Sequence, residues 1–137
     1  MRCGAWLKLS EEEMIEICWN GGKGTNNIAE LMAIWCGLLA AVNLELNDVS
    51  IYGDSKLIID TMNGKVSNSS ITEHGWYRRA RHLWERLNYP PISHIYRENN
   101  TRDDGLSKQG VGMVFGILRV SQYKHNKKVW TSDIPIP

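Results

Sequence analysis

The apolar run Val49-Ser50-Ile51-Tyr52 passes through Gly53-Asp54-Ser55 straight into the helical pattern Lys56-Leu57-Ile58-Ile59-Asp60-Thr61-Met62. One short turn must therefore convert a strand into a helix, which points to an α/β fold. A carboxylate at the end of a central strand is exposed yet rigidly held. Asp54 accordingly has two readings: a metal ligand or catalytic acid presented from the carboxyl end of a sheet strand, or the N-cap of the following helix. Two more acidic positions lie at element junctions, Glu30 in Thr25-Asn26-Asn27-Ile28-Ala29-Glu30 and Asp104 in Asn100-Thr101-Arg102-Asp103-Asp104. Three carboxylates at three junctions suggest one site.

A chain of 137 residues suffices for one domain with a real core and is short for two. Because 16 Lys and Arg nearly balance 15 Asp and Glu, bulk charge makes no case for nucleic-acid binding, and any such case rests on local clusters. Cys3, Cys18 and Cys36 are odd in number and form no CxxC pair, so neither a disulfide framework nor a zinc site is expected, and a reduced compartment is. With neither a leader pattern nor an apolar run near the length of a membrane span, the expectation is a soluble intracellular protein of cytoplasm or nucleus, with no membrane partner.

In chain order, residues 3–9 and 14–19 form a hairpin about Ser10-Glu11-Glu12, and the first strand has no earlier element to pair with its other edge. Thr25-Asn26-Asn27 can cap a helix whose apolar stripe is Ile28, Leu31, Met32, Trp35, Leu38, Leu39 and Val42. Glu30, three residues after Asn27, also suits a capping-box partner. A helix from Thr72 to about Leu87 turns Trp76, Ala80, Leu83 and Leu87 to one face and carries Arg78, Arg79, Arg81, His82 and Arg86 elsewhere. Such a basic, aromatic-interleaved face follows a phosphate backbone or is simply a solvated helix face. Residues 92–96 alternate as a strand, and Arg102 to Gln109 form a short helix in whose first turn Asp103 and Asp104 also suit the helix dipole. Residues 111–137 are expected as a loosely docked tail with a short strand near 114–120, after a domain spanning 1–110.

Together, Thr25-Asn26-Asn27-Ile28-Ala29-Glu30-Leu31, Tyr52-Gly53-Asp54-Ser55, and the run His94 to Ser107 containing Asp103-Asp104-Gly105 resemble the type 1 ribonuclease H family, most closely its plant and retroelement members. The resemblance implies a mixed five-stranded sheet with three antiparallel strands, helices on its faces, and an acidic site for two Mg2+ ions, or Mn2+ in their place. It places Glu30, Asp54 and Asp104 as metal-binding catalytic carboxylates. His94 takes the position of a mobile histidine assisting proton transfer or product release, a core or strand-face histidine being the other reading. Lys23, Thr25, Asn26 and Asn27 take positions that contact an RNA/DNA hybrid, and Arg78, Arg79 and Arg81 would add phosphate contacts. The family's first strand carries an Asp-Gly motif, whereas no Asp precedes Asp48 here. The implied activity is cleavage of the RNA strand of a hybrid by a domain lacking the first strand and its carboxylate, with a larger reverse-transcriptase polyprotein as one setting; the alternative is an inactive nucleic-acid-binding module or a mobile-element remnant.

Overall fold

The structure, a computed structural model, describes residues 2–20, 26–95 and 117–135. Strands β1 (Arg2–Lys8) and β2 (Glu13–Asn20) form the expected antiparallel hairpin. Its turn is closed by Ser10, whose Oγ accepts hydrogen bonds from the Glu12 and Glu13 backbone N–H groups. Ala5, Leu7, Ile15, Ile17 and Trp19 are buried, following the two-residue period of pleated strands.

Helix α1 (Asn26–Asn43) packs on β1, β2 and on β3 (Ser50–Gly53). Leu31, Ile34, Leu38 and Ala41 are the fully buried line along it, at helical spacing. Ile28, expected in the stripe, is exposed, while Ala33, Ile34 and Ala41 join the core because a second helix covers α1 from its far side. That helix is α4 (Gly75–Arg86), and Trp76 meets Trp35 of α1 edge to face at 5.3 Å. Between β3 and α4 lie α2 (Lys56–Met62) and the single turn α3 (Ser69–Thr72). The helix expected from Thr72 starts three residues later, at Gly75: His74 stands before it in extended conformation, and its Nδ1 accepts from Trp76 N–H to cap α4.

After α4, β4 (Ile92–His94) runs parallel to β3, a shorter strand than the expected 92–96. The remaining strands, β5 (Ile117–Lys124) and β6 (Lys127–Pro135), form a hairpin on the free edge of β2. Among the described residues the sheet has six strands in the order β4-β3-β1-β2-β5-β6, with β3–β4 parallel and the other pairs antiparallel. The mixed sheet with packed helices is the expected α/β class. Among the described residues no earlier strand pairs with β1, and its second edge is taken by the later strand β3. One detail differs from expectation: residues 117–135 are not a loose tail but two strands of the sheet, with Leu118 and Val120 in the core. The cysteine expectation also fails, since Cys3 and Cys18 stand opposite one another across β1 and β2 and are joined by a disulfide, leaving Cys36 free. Strand register, not cysteine spacing, brings that pair together. No helix among the described residues is long and apolar enough to cross a membrane.

Candidate active site

Asp54 follows the last residue of β3, and the β1–β3 pairing fixes its backbone. Ala5 stands opposite Gly53, and Asp54 N–H donates to the Gly4 carbonyl at 2.8 Å. The capping role open to Asp54 falls to Ser55, whose Oγ accepts from Ile58 N–H at the start of α2. Asp54 is thereby left with its carboxylate directed elsewhere.

Glu30 comes to the same place from the second turn of α1. Its side chain is not a capping-box partner for Asn27. The residue is 1% exposed, and its Oε1 accepts from Asp54 N–H at 3.2 Å, a proton shared with the Gly4 carbonyl. Two glycines on neighbouring strands make the room. A Cβ on Gly4 would lie 2.6 Å from Glu30 Oε2, and one on Gly53 would lie 2.8 Å from Oε1. Burial pushes the Glu30 carboxyl up to about 8, and the Asp54 charge adds to that rise, against the opposing pull of backbone N–H groups and Arg2. Near neutral pH Glu30 therefore holds a proton.

A residue that sequence patterning did not single out completes the arrangement. Arg2 Nη2 donates to Asp54 Oδ2 at 3.1 Å in an ion pair whose carboxylate side is only 10% exposed. The Arg2 Nε is buried and lacks a hydrogen-bond partner among the described residues, so the guanidinium is held by one good contact rather than by a full fork. Arg2 carries no signal of this role in the sequence, because only the pairing of β1 with β3 sets it beside Asp54. His94 reaches the site from β4, where it stands in register with Gly53, and its Nε2 lies 3.2 Å from the Asp54 carbonyl. A carbonyl only accepts, so that nitrogen carries the proton.

Of the other candidates, Asn26 opens α1 and Asn27 is exposed in its first turn, on the helix end that carries Glu30. Lys23, Thr25 and Asp104 lie outside the described residues. The three candidate arginines of α4, Arg78, Arg79 and Arg81, all have partners within the chain. Arg78 donates to the Glu73 carbonyl, Arg79 lies over the Trp76 ring, and Arg81 bonds Tyr77 Oη and pairs with Glu85.

The donor set fits a hard divalent cation in type, since carboxylate oxygens at the end of a strand and the start of a helix are what such ions take. It also carries a competitor. Glu30 must lose its proton before it offers a charged oxygen, and Arg2 already holds one oxygen of Asp54, Oδ2.

The sequence model of the family described as Reverse transcriptase-like matches residues 11–110. Ribonuclease HI of Halobacterium salinarum is 30% identical over 90 residues, covering 66% of this chain and 45% of that protein. A bifunctional protein of Mycobacterium tuberculosis is 32% identical over 95 residues, covering 66% of this chain and 25% of the relative. The chain thus spans less than half the length of these curated relatives. In structure, RNase H1 from H. salinarum superposes with a TM-score of 0.53 at 22% identity, over 82% of this chain and 98% of that one, a likeness of fold.

Proposed function

Since the chain belongs to the reverse transcriptase-like, ribonuclease H-type family, we propose that it acts on RNA/DNA hybrids, cleaving the RNA strand with a divalent metal ion, Mg2+ or Mn2+, held by Glu30, Asp54 and Asp104. The observation that carries this reading is the meeting of Glu30 and Asp54. Glu30 and Asp54, 24 positions apart in the chain, meet at the end of β3, where Glu30 Oε1 accepts from the Asp54 backbone N–H, with His94 beside them.

Bound there, a divalent ion would supply a more acidic water and charge neutralisation at phosphorus. The chain's own residues would do the rest. Asp54 offers the least encumbered carboxylate, on a backbone pinned by β1. Glu30 is held in a dry slot, and its proton must leave as positive charge arrives, so ion affinity should rise with pH. His94, its Nε2 proton resting on the Asp54 carbonyl, would pass a proton to a departing oxygen at the strand end. Asn26 and Asn27, with Lys23 and Thr25 before them, would contact phosphate and the 2′-OH that distinguishes RNA from DNA. Arg78, Arg79 and Arg81 would add phosphate contacts from α4 only by giving up part of their present bonding.

A second reading is favoured by one observation. Arg2 supplies a positive charge where the resemblance calls for a carboxylate and a metal ion, so a hybrid-binding module without turnover is the alternative. A labelled RNA/DNA hybrid, incubated with the protein in Mg2+ and in Mn2+, separates the two. Cleavage that Asp54→Asn abolishes supports the enzyme, whereas salt-sensitive hybrid binding without cleavage supports the module. A place within a reverse-transcriptase polyprotein of plant or retroelement type is the setting this reading suits best.

A further inference from the structure

We propose that Cys3, Glu16 and Cys18 form a second cation site, which opens when the Cys3–Cys18 disulfide is reduced and then takes a thiophilic divalent ion of the Zn2+ kind. The β1–β2 register sets Cys3 directly across from Cys18, and a bulge between Cys3 and Ala5 breaks the regular pairing just beyond them. Glu16 is two residues before Cys18, so both project from the same face of β2. The two sulfurs and a Glu16 carboxylate oxygen all lie within 4.8 Å of one another. Once the S–S bond breaks, the two sulfurs must move apart to take separate zinc bonds of about 2.3 Å while the Glu16 oxygen turns toward the ion at about 2.0 Å, adjustments made by side-chain rotation.

Glu16 is also aimed. Trp6 Nε1–H donates to its Oε2 at 3.0 Å, and Tyr123 Oη, from β5, lies 3.5 Å from Oε1. Such bonds steer a ligating carboxylate and raise its affinity for metal. Cys18 is buried and Cys3 and Glu16 are half-buried, which shields the thiolates from bulk solvent. Two sulfurs and one oxygen select a borderline-soft ion, unlike the all-oxygen pair of Glu30 and Asp54, so the two sites would not compete for the same metal.

The chemistry closes. A dithiol reductant gives its two hydrogens to Cys3 and Cys18, the S–S bond breaks, and the reductant leaves as its own disulfide. The incoming divalent ion then releases both thiol protons to solvent and binds two thiolates and the Glu16 carboxylate, with water in the fourth position. The metal would replace the disulfide as the staple between β1 and β2, keeping Arg2 and Gly4 in place under reducing conditions.

The test uses the full chain in two redox states, with Co2+ as the probe. Oxidised protein and protein reduced by a trialkylphosphine, which converts the disulfide to two thiols as it takes up oxygen from water, are each titrated with Co2+ and shown to be folded by circular dichroism. The expected result is a thiolate-to-cobalt charge-transfer band in the reduced protein alone, saturating at one ion per chain and removed by Zn2+. Cys18→Ser should lose that band, Cys36→Ser should keep it, and Glu16→Gln should weaken Co2+ binding about tenfold. Folded, reduced protein without the band would overturn the proposal. So would an equal band in the oxidised form, or unchanged affinity in Glu16→Gln.

Discussion

Arg2 and Glu30 govern what Asp54 can do at short range, Arg2 by its positive charge and Glu30 by the buried carboxyl that accepts from the Asp54 backbone. The Arg2–Asp54 pair is partly solvated on the arginine side, so it contributes about 1 kcal/mol rather than the worth of a buried pair. Arg2→Gln should therefore tighten Mn2+ binding about fivefold in a calorimetric titration, by removing a resident positive charge from Asp54. Looser or unchanged binding would mean that Arg2 does not compete for the site. Glu30 makes a prediction of the other sign. Its carboxyl is raised from 4.5 to about 8, mainly by burial and then by Asp54, so between those values the unfolded chain has shed a proton that the folded chain keeps. The unfolded state binds fewer protons, and stability must fall as pH rises across that window. With metal removed by chelator, the midpoint of thermal unfolding should drop from pH 5 to pH 8, and Glu30→Gln should flatten that slope. Glu30 was legible in the sequence as an acidic residue at a helix start. Its burial was not, because the slot is made by Gly4 and Gly53, far away in the chain.

At the scale of elements, the hairpin β5–β6 extends the sheet beyond β2. Its two-residue loop places His125 and Asn126 at φ of 52° and 63°, the left-handed conformation that matches the twist of a tight hairpin. The loop is also tied back to the β1–β2 turn, since His125 N–H donates to the Glu12 carbonyl at 2.8 Å. Asn tolerates this backbone and a β-branched residue does not. Asn126→Val should cost about 1–2 kcal/mol in denaturant unfolding, and a neutral result would mean that the hairpin contributes little to the fold. β6 is otherwise an exposed edge strand, with Trp130 and Ile134 in solvent on one face and Lys127, Lys128 and Asp133 along it as charges that discourage edge-to-edge pairing. This explains why the segment was illegible as strand: a half-exposed edge has no clean alternation of apolar and polar residues. The strands and helices that do bury a face were legible. α2 falls on the expected residues, and β1, β2, β3 and α1 within about a turn or a residue of theirs.

For the molecule as a whole, the Cys3–Cys18 disulfide closes a loop of 15 positions across the hairpin that is central to the sheet. Loop-closure entropy for that length puts the loss on reduction at about 3 kcal/mol, so metal-free reduced protein should unfold at clearly lower denaturant concentration than oxidised protein. An unchanged midpoint would mean that sheet pairing alone holds β1 in place. Local spacing in the sequence determined where the chain alternates, where it turns helical and which carboxylates stand at the junctions, because those signals act over a few residues. Only the tertiary structure decided that β1 lies between β2 and β3, that Arg2 meets Asp54, that Glu30 is buried with its carboxyl pushed up, and that Cys3 faces Cys18. Each depends on strand register and on the exclusion of water by segments far apart in the chain, and neither is written in the spacing of near neighbours.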